Sequence, residues 1–175
     1  MLHRMLGDAT LFPDPSGPPE HHATSGTLHE AGPMRPALNE LATLLESPAP
    51  AVLTTYRRDG SALTTPVWFR FNETRFEVVI AITDVKLRHL ERDPRCLLVI
   101  FEAVTPFRGI EVRGEAKVTD DPDEVRRARQ SIARRYLGER AGDAFTAARA
   151  AAVILGLDAA GARTWDLTGI LPRGA

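Results

Sequence analysis

The chain has 175 residues with 22 basic and 23 acidic side chains, a net charge near −1, and a single cysteine. That length fits one domain of about 100 to 150 residues plus a tail, and the near-neutral charge excludes a generic basic nucleic-acid binder, which needs a surplus of Lys and Arg on one face. One cysteine forms no internal disulfide, and no run of about 18 apolar residues is present to cross a bilayer, so a cytoplasmic protein without nucleic-acid or membrane partners is expected.

Composition shifts near residue 36. Six of the 13 prolines and four of the five histidines lie at or before it, in a segment without apolar periodicity. Such a stretch cannot offset backbone ordering entropy of about 1 to 2 kcal/mol per residue, so residues 1–36 read as a disordered extension and residues 37–175 as the folded domain. His21, His22 and His29 have no Cys, Asp or Glu at a zinc-site spacing, and no metal site is expected.

Leu38, Leu41, Leu44 and Leu45 mark one side of a short helix ended by Pro48. Ala51 to Arg57 and Ala62 to Phe71 flank an Asp59-Gly60 turn and read as a hairpin, and Arg75 to Ile82 follows as a third strand with Phe76, Val78, Ile80 and Ile82 on its apolar face. Thr83 or Asp84 caps a helix running to about Arg92, which Pro94 ends. Arg95 to Phe101 is apolar on both faces, a buried strand, and Gly109 to Val118 alternates strictly. Pro122 to Leu137 is an amphipathic helix with Val125, Ala128, Ile132 and Tyr136 inward and Arg126, Arg127, Arg134 and Arg135 outward. A helix over Ala144 to Leu155 and a strand over Arg163 to Leu167 complete the pattern. Antiparallel strands with short helices between them predict a mainly β, α+β fold, a small antiparallel barrel with peripheral helices.

Signatures of nucleophilic, nucleotide-hydrolysing, zinc or dinucleotide chemistry are missing. Cys96 sits in the most apolar strand, where a thiol acts as a small hydrophobe. A cofactor is then the expected source of any reactivity. Lys86, one of two lysines, follows the expected start of the helix at Thr83 and Asp84, where backbone N–H groups and the helix dipole attract a phosphate. His89, three residues on, shares its face. The alternative is a solvated basic helix face. Thr64, Thr65, Pro66, Val67 and Trp68 bring hydroxyls, a residue unable to donate to a sheet and a large ring together, either for a ligand or for a core. Arg57, Arg108 and Arg113 are candidates for an anionic ligand or for surface ion pairs.

Read together, Thr65-Pro66-Val67-Trp68-Phe69, Lys86-Leu87-Arg88-His89-Leu90-Glu91-Arg92-Asp93-Pro94-Arg95 and Ile110-Glu111-Val112-Arg113-Gly114-Glu115-Ala116 carry a resemblance. The chain resembles the pyridoxamine 5′-phosphate oxidase-like superfamily and, more narrowly, its split β-barrel flavin and deazaflavin F420-dependent oxidoreductases. The resemblance implies a split β-barrel of the FMN-binding type and a homodimer with a cofactor cleft at the subunit interface. It also implies hydride transfer from reduced F420 to a small unsaturated acceptor. Thr83, Asp84 and Lys86 are then expected at the cofactor phosphate, with His89, Arg57 and Arg113 as further cofactor contacts, and Thr65, Pro66, Val67 and Trp68 beside the ring. Thr65 and Tyr56 are candidate proton donors. Family members often carry Asn in place of His89 and an aromatic near Gly109. The alternatives are an FMN-binding oxidase or flavin reductase, and a non-catalytic flavin, F420 or haem carrier.

Overall fold

The computed structural model describes residues 35–147 and 150–171. The expected N-terminal extension, with its histidines, lies almost wholly outside the described residues.

After a single 3-10 turn over Leu38–Leu41, helix α1 (Ala42–Glu46) buries Leu44 and Leu45 beside Leu41. Strands β1 (Ala51–Tyr56) and β2 (Ala62–Val67) form the expected hairpin. Its turn places Gly60 at φ +83°, which glycine adopts without Cβ strain, while Asp59 accepts from the Ser61 amide.

The second hairpin arm is shorter than its alternation suggested. β2 stops at Val67, the chain turns a corner at Trp68 and Phe69, and β3 (Arg70–Asn72) joins a different sheet. β4 (Arg75–Ala81) buries Phe76, Val78 and Ile80 as expected, but Ile82 lies beyond the strand and is exposed.

Helix α2 (Val85–Arg92) follows, then β5 (Arg95–Phe101), β6 (Gly109–Glu115) and β7 (Lys117–Thr119). The predicted single strand over Gly109 to Val118 is therefore two, broken at buried Ala116, and Val118 is exposed because β7 has changed sheet.

Helix α3 (Pro122–Leu137) matches its predicted span, with an Asp121 cap accepting from the Glu124 amide and proline at its first position. Val125, Ala128 and Ile132 are buried as the periodicity required. Arg135, expected in solvent, instead turns inward: it donates to the carbonyls of Ser47 and Phe69 and lies 4.3 Å over the Phe69 ring. Burial pushes its pKa below the usual guanidinium value, but the two carbonyls and the ring compensate its charge.

The helix expected over Ala144 to Leu155 is the largest correction. Helix α4 covers Glu139–Ala147, and Ala152–Asp158 is strand β8, paired to β4 on one side and β7 on the other. Alanine-rich flanks favour helix locally, but Val153 through Leu157 are buried between two strands, and tertiary pairing overrides propensity. β9 (Ala162–Trp165) closes the chain order.

One sheet runs β2-β1-β5-β6-β9 and the other β3-β4-β8-β7, all pairs antiparallel. The fold is thus α+β with antiparallel sheets, as expected, although the sheets are not closed into a barrel. Leu53, Leu98, Ile100, Ile110 and Val112 of the first sheet share a core with Phe76, Val78, Leu155 and Leu157 of the second. α3 covers the outer face of β8 through Val125, Ala128 and Ile154. Among the described residues no helix is long and apolar enough to cross a membrane.

Candidate functional site

Pro66 lies on β2, the outermost strand of its sheet, opposite Val52. An edge position tolerates its missing N–H, and it leads directly into the corner that swings Trp68 out of the ladder. Trp68 stacks on Tyr136 of α3, ring centroids 5.2 Å apart and nearly parallel, and Phe145 of α4 tilts against it at 5.6 Å. The Tyr136 hydroxyl donates to the Ala49 carbonyl, which fixes the ring beneath Trp68.

Asp84 caps α2 and takes Lys86 as its partner twice. It accepts from the Lys86 amide at 2.9 Å, and its carboxylate lies 2.9 and 3.1 Å from Lys86 Nζ. These bonds outweigh burial and hold the Asp84 carboxyl below its usual pKa. The cap thus takes the Lys86 amide, and the Lys86 ammonium is paired with the same carboxylate.

These two constructions meet. A cleft of about 440 Å³ is lined by Pro66, Val67, Trp68, Asp84, Lys86 and the outward side of β4 at Val79. Arg129 and Ile132 of α3 and Phe145 of α4 complete it. Thr65, immediately before Pro66, has its hydroxyl oxygen buried without a hydrogen-bond partner among the described residues.

The remaining candidates stand elsewhere. His89 is buried, with Nδ1 3.0 Å from Thr55 Oγ1, and lines a separate basic cleft with Arg57, Arg58, Arg88 and Arg92. Burial first, then the charges of Arg92, Arg57 and Arg88, push its pKa below the ordinary 6.5, so the ring is neutral at pH 7. Tyr56 and Arg113 line a third cleft with Arg95 and Cys96. There Arg113 is held by Glu111 at 2.6 Å, and burial pushes the Cys96 thiol up to about 12. Arg108 pairs with Glu102 at 2.6 Å. Thr83 is exposed beside the cap.

Gly109 lies against Trp165 of β9, whose indole N–H donates to the Phe107 carbonyl. A neighbouring strand supplies the aromatic there. Arg129 and Phe145 are lining residues that the sequence does not single out, whereas Ile132 belongs to the expected inward face of α3. The i, i+3 spacing of Arg129 and Ile132 on α3 is the available signal for Arg129, and Phe145 lies in the part of the expected helix that is helical, within α4.

Several known proteins share this architecture. A conserved hypothetical protein, Rv2991 of Mycobacterium tuberculosis, superposes with a TM-score of 0.69 at 23% identity, covering 85% of this chain and 96% of that one. An F420 reductase superposes with a TM-score of 0.53 at 23% identity, covering 66% and 90%. An FAD and heme binding protein of Mycobacterium smegmatis gives 0.61 at 17%, covering 79% and 75%. No curated protein matches. The family model for pyridoxamine 5'-phosphate oxidase matches residues 37–166, from the first apolar turn through the last strand, and the chain belongs to that family.

Proposed function

We propose that the protein is an F420-dependent oxidoreductase whose cofactor occupies the cleft between Trp68 and Lys86. The observation that carries this reading is the convergence, in one cleft, of the Pro66-Val67-Trp68 corner with the Asp84–Lys86 helix start. The first offers a flat, apolar surface for a tricyclic ring, and the second offers a cation and a helix terminus for its phosphate. Thr65, the residue before Pro66, is the proposed proton donor of this cleft, since Tyr56 lines a different one. Bound reduced F420 supplies the hydride that an electron-poor C=C or C=N acceptor takes up together with a proton.

The chain's own share is positioning. Tyr136 and Phe145 hold Trp68, Asp84 orients Lys86, and β4 forms the floor, so the cleft positions the ring for an acceptor. The reading includes a cytoplasmic homodimer in which a second copy completes the cleft, with Arg57, His89 and Arg113 as further cofactor contacts, to be tested by sedimentation.

The second reading is an FMN enzyme or a flavin or haem carrier. It is favoured by the fold shared with the FAD and heme binding protein, and it uses the same ring and phosphate surfaces. Absorbance of the purified protein and fluorescence titration with F420 separate the readings. Colourless protein that quenches F420 emission at micromolar concentration supports the first, and tightly bound yellow FMN supports the second. Folded protein that binds neither ligand overturns both.

A further inference from the structure

A second and larger cavity, about 810 Å³, adjoins the proposed cofactor cleft, and Arg129, Ala150 and Ala152 line both. Its apolar wall includes Ile82, Val125 and Val153. Its charged side chains divide sharply by their commitments. Arg126 pairs with Asp123 at 2.8 Å, and Asp143 is held by Arg134 at 2.8 Å and by Gln130 at 3.2 Å. Asp120 is exposed at the rim. Arg129 is half-buried and bonds the Ala150 carbonyl, and it has no carboxylate within ion-pair distance among the described residues.

We propose that Arg129 makes this cavity the acceptor subsite, selecting an acceptor with an apolar body and a carboxylate. The inference rests on the cofactor reading above for the word acceptor, but the carboxylate preference is a property of the cavity itself. A guanidinium carries five N–H donors in a planar fork. With one donor directed at Ala150, the remainder match the two oxygens of a carboxylate, and partial withdrawal from water strengthens such a charge-assisted pair. In the adjoining cleft Lys86 is paired with Asp84 and is the proposed phosphate contact, whereas Arg129, at the junction, is the lining arginine without a carboxylate partner among the described residues. An aryl or alkenyl body then rests on the apolar wall, and the shared residue keeps it next to the ring cleft.

The test uses trans-cinnamate and its neutral isostere cinnamamide, with binding to the full chain measured by calorimetry in the presence and absence of F420. Cinnamate is expected to bind at least about tenfold more tightly than cinnamamide, the scale of one charge-assisted hydrogen bond. Arg129→Met is expected to abolish that ratio, and Arg129→Lys to retain part of it. Equal binding of the two probes by the unmodified chain overturns the proposal without any variant. An unchanged ratio in Arg129→Met also overturns it, as does loss of F420 binding with the ratio intact, which would assign Arg129 to the cofactor. If the cinnamate preference holds but F420 never binds, the carboxylate subsite stands and the cofactor reading falls.

Discussion

His89 Nδ1 and Thr55 Oγ1 lie 3.0 Å apart with both residues buried, joining α2 to the inward face of β1. Thr55 occupies an alternating position that Ala51 and Leu53 fill with apolar groups, and its hydroxyl is tolerated there because the imidazole satisfies it. Thr55→Val is expected to destabilise the protein by about 1 to 3 kcal/mol in urea unfolding, since it leaves an unpaired ring nitrogen in the core. The pH profile follows from the same pair. His89 titrates below 6.5 when folded, so the unfolded chain takes the proton first. Its contribution is complete above pH 6.5 and declines as pH falls toward the folded value, and His89→Gln should flatten that decline. An identical slope in the variant removes His89 from the pH response.

Glu77 is fully buried on β4 between Arg70, at 2.6 Å, and Arg75, with Asn72 adding a third donor. Burial alone would raise its carboxyl pKa, but these donors outweigh it and hold it below 4.5. Its contribution is therefore present above pH 4.5 and lost as pH falls through the lower folded value. Glu77→Gln should cost about 2 to 4 kcal/mol, less than the ~3 to 5 of a wholly buried pair because both arginines keep contact with water. It should also reduce the steepness of acid unfolding, read as the change in urea midpoint between pH 7 and pH 4.

Lys86 and Asp84 compete with any anion for each other. Lys86→Ala is expected to weaken F420 or FMN binding by about 1 to 3 kcal/mol with little loss of stability, the scale of a charge-assisted hydrogen bond. Asp84→Asn keeps a competent helix cap and releases the ammonium, so cofactor affinity should rise. Fluorescence titration of both variants decides the matter, and a fall in affinity for Asp84→Asn would show that the carboxylate itself serves the ligand.

Gly109 allows Trp165 to cross its strand. A Cβ built there would lie 2.0 Å from the indole, inside any permitted contact. Gly109→Ala is expected to lower stability by about 1 to 3 kcal/mol through overpacking. Trp165→Ala in the same chain should recover most of that loss relative to Trp165→Ala alone, a non-additivity that thermal unfolding of the three variants measures.

Local rules reached far where an element's signals agreed. α3 carried its own cap at Asp121, proline at its first position, a 3.6-residue apolar stripe and a terminal Gly138, and it folds over the expected span. β8 carried none of this. Its identity as a strand depends on being flanked by β4 and β7, which its alanine-rich approach does not announce. The same distinction separates the site residues. Pro66 to Trp68 and Asp84 to Lys86 were legible because unusual residue types sit close in sequence. Arg129 and Phe145 were not, because only the packing of α3 and α4 brings them to the cleft. Arg135 shows the converse: its position on the helix wheel pointed outward, and the carbonyls of Ser47 and Phe69 drew it in.

The corner at Trp68 and Phe69, where the chain leaves one sheet for the other, also gives the molecule an optical handle. The chain has two tryptophans, and Trp165 lies apart from the cleft, bonded to the Phe107 carbonyl. Trp165→Phe therefore leaves one indole, stacked on Tyr136 and facing the cleft. Its emission would register an occupant of the cleft and any tilt of one sheet against the other, with no dye attached.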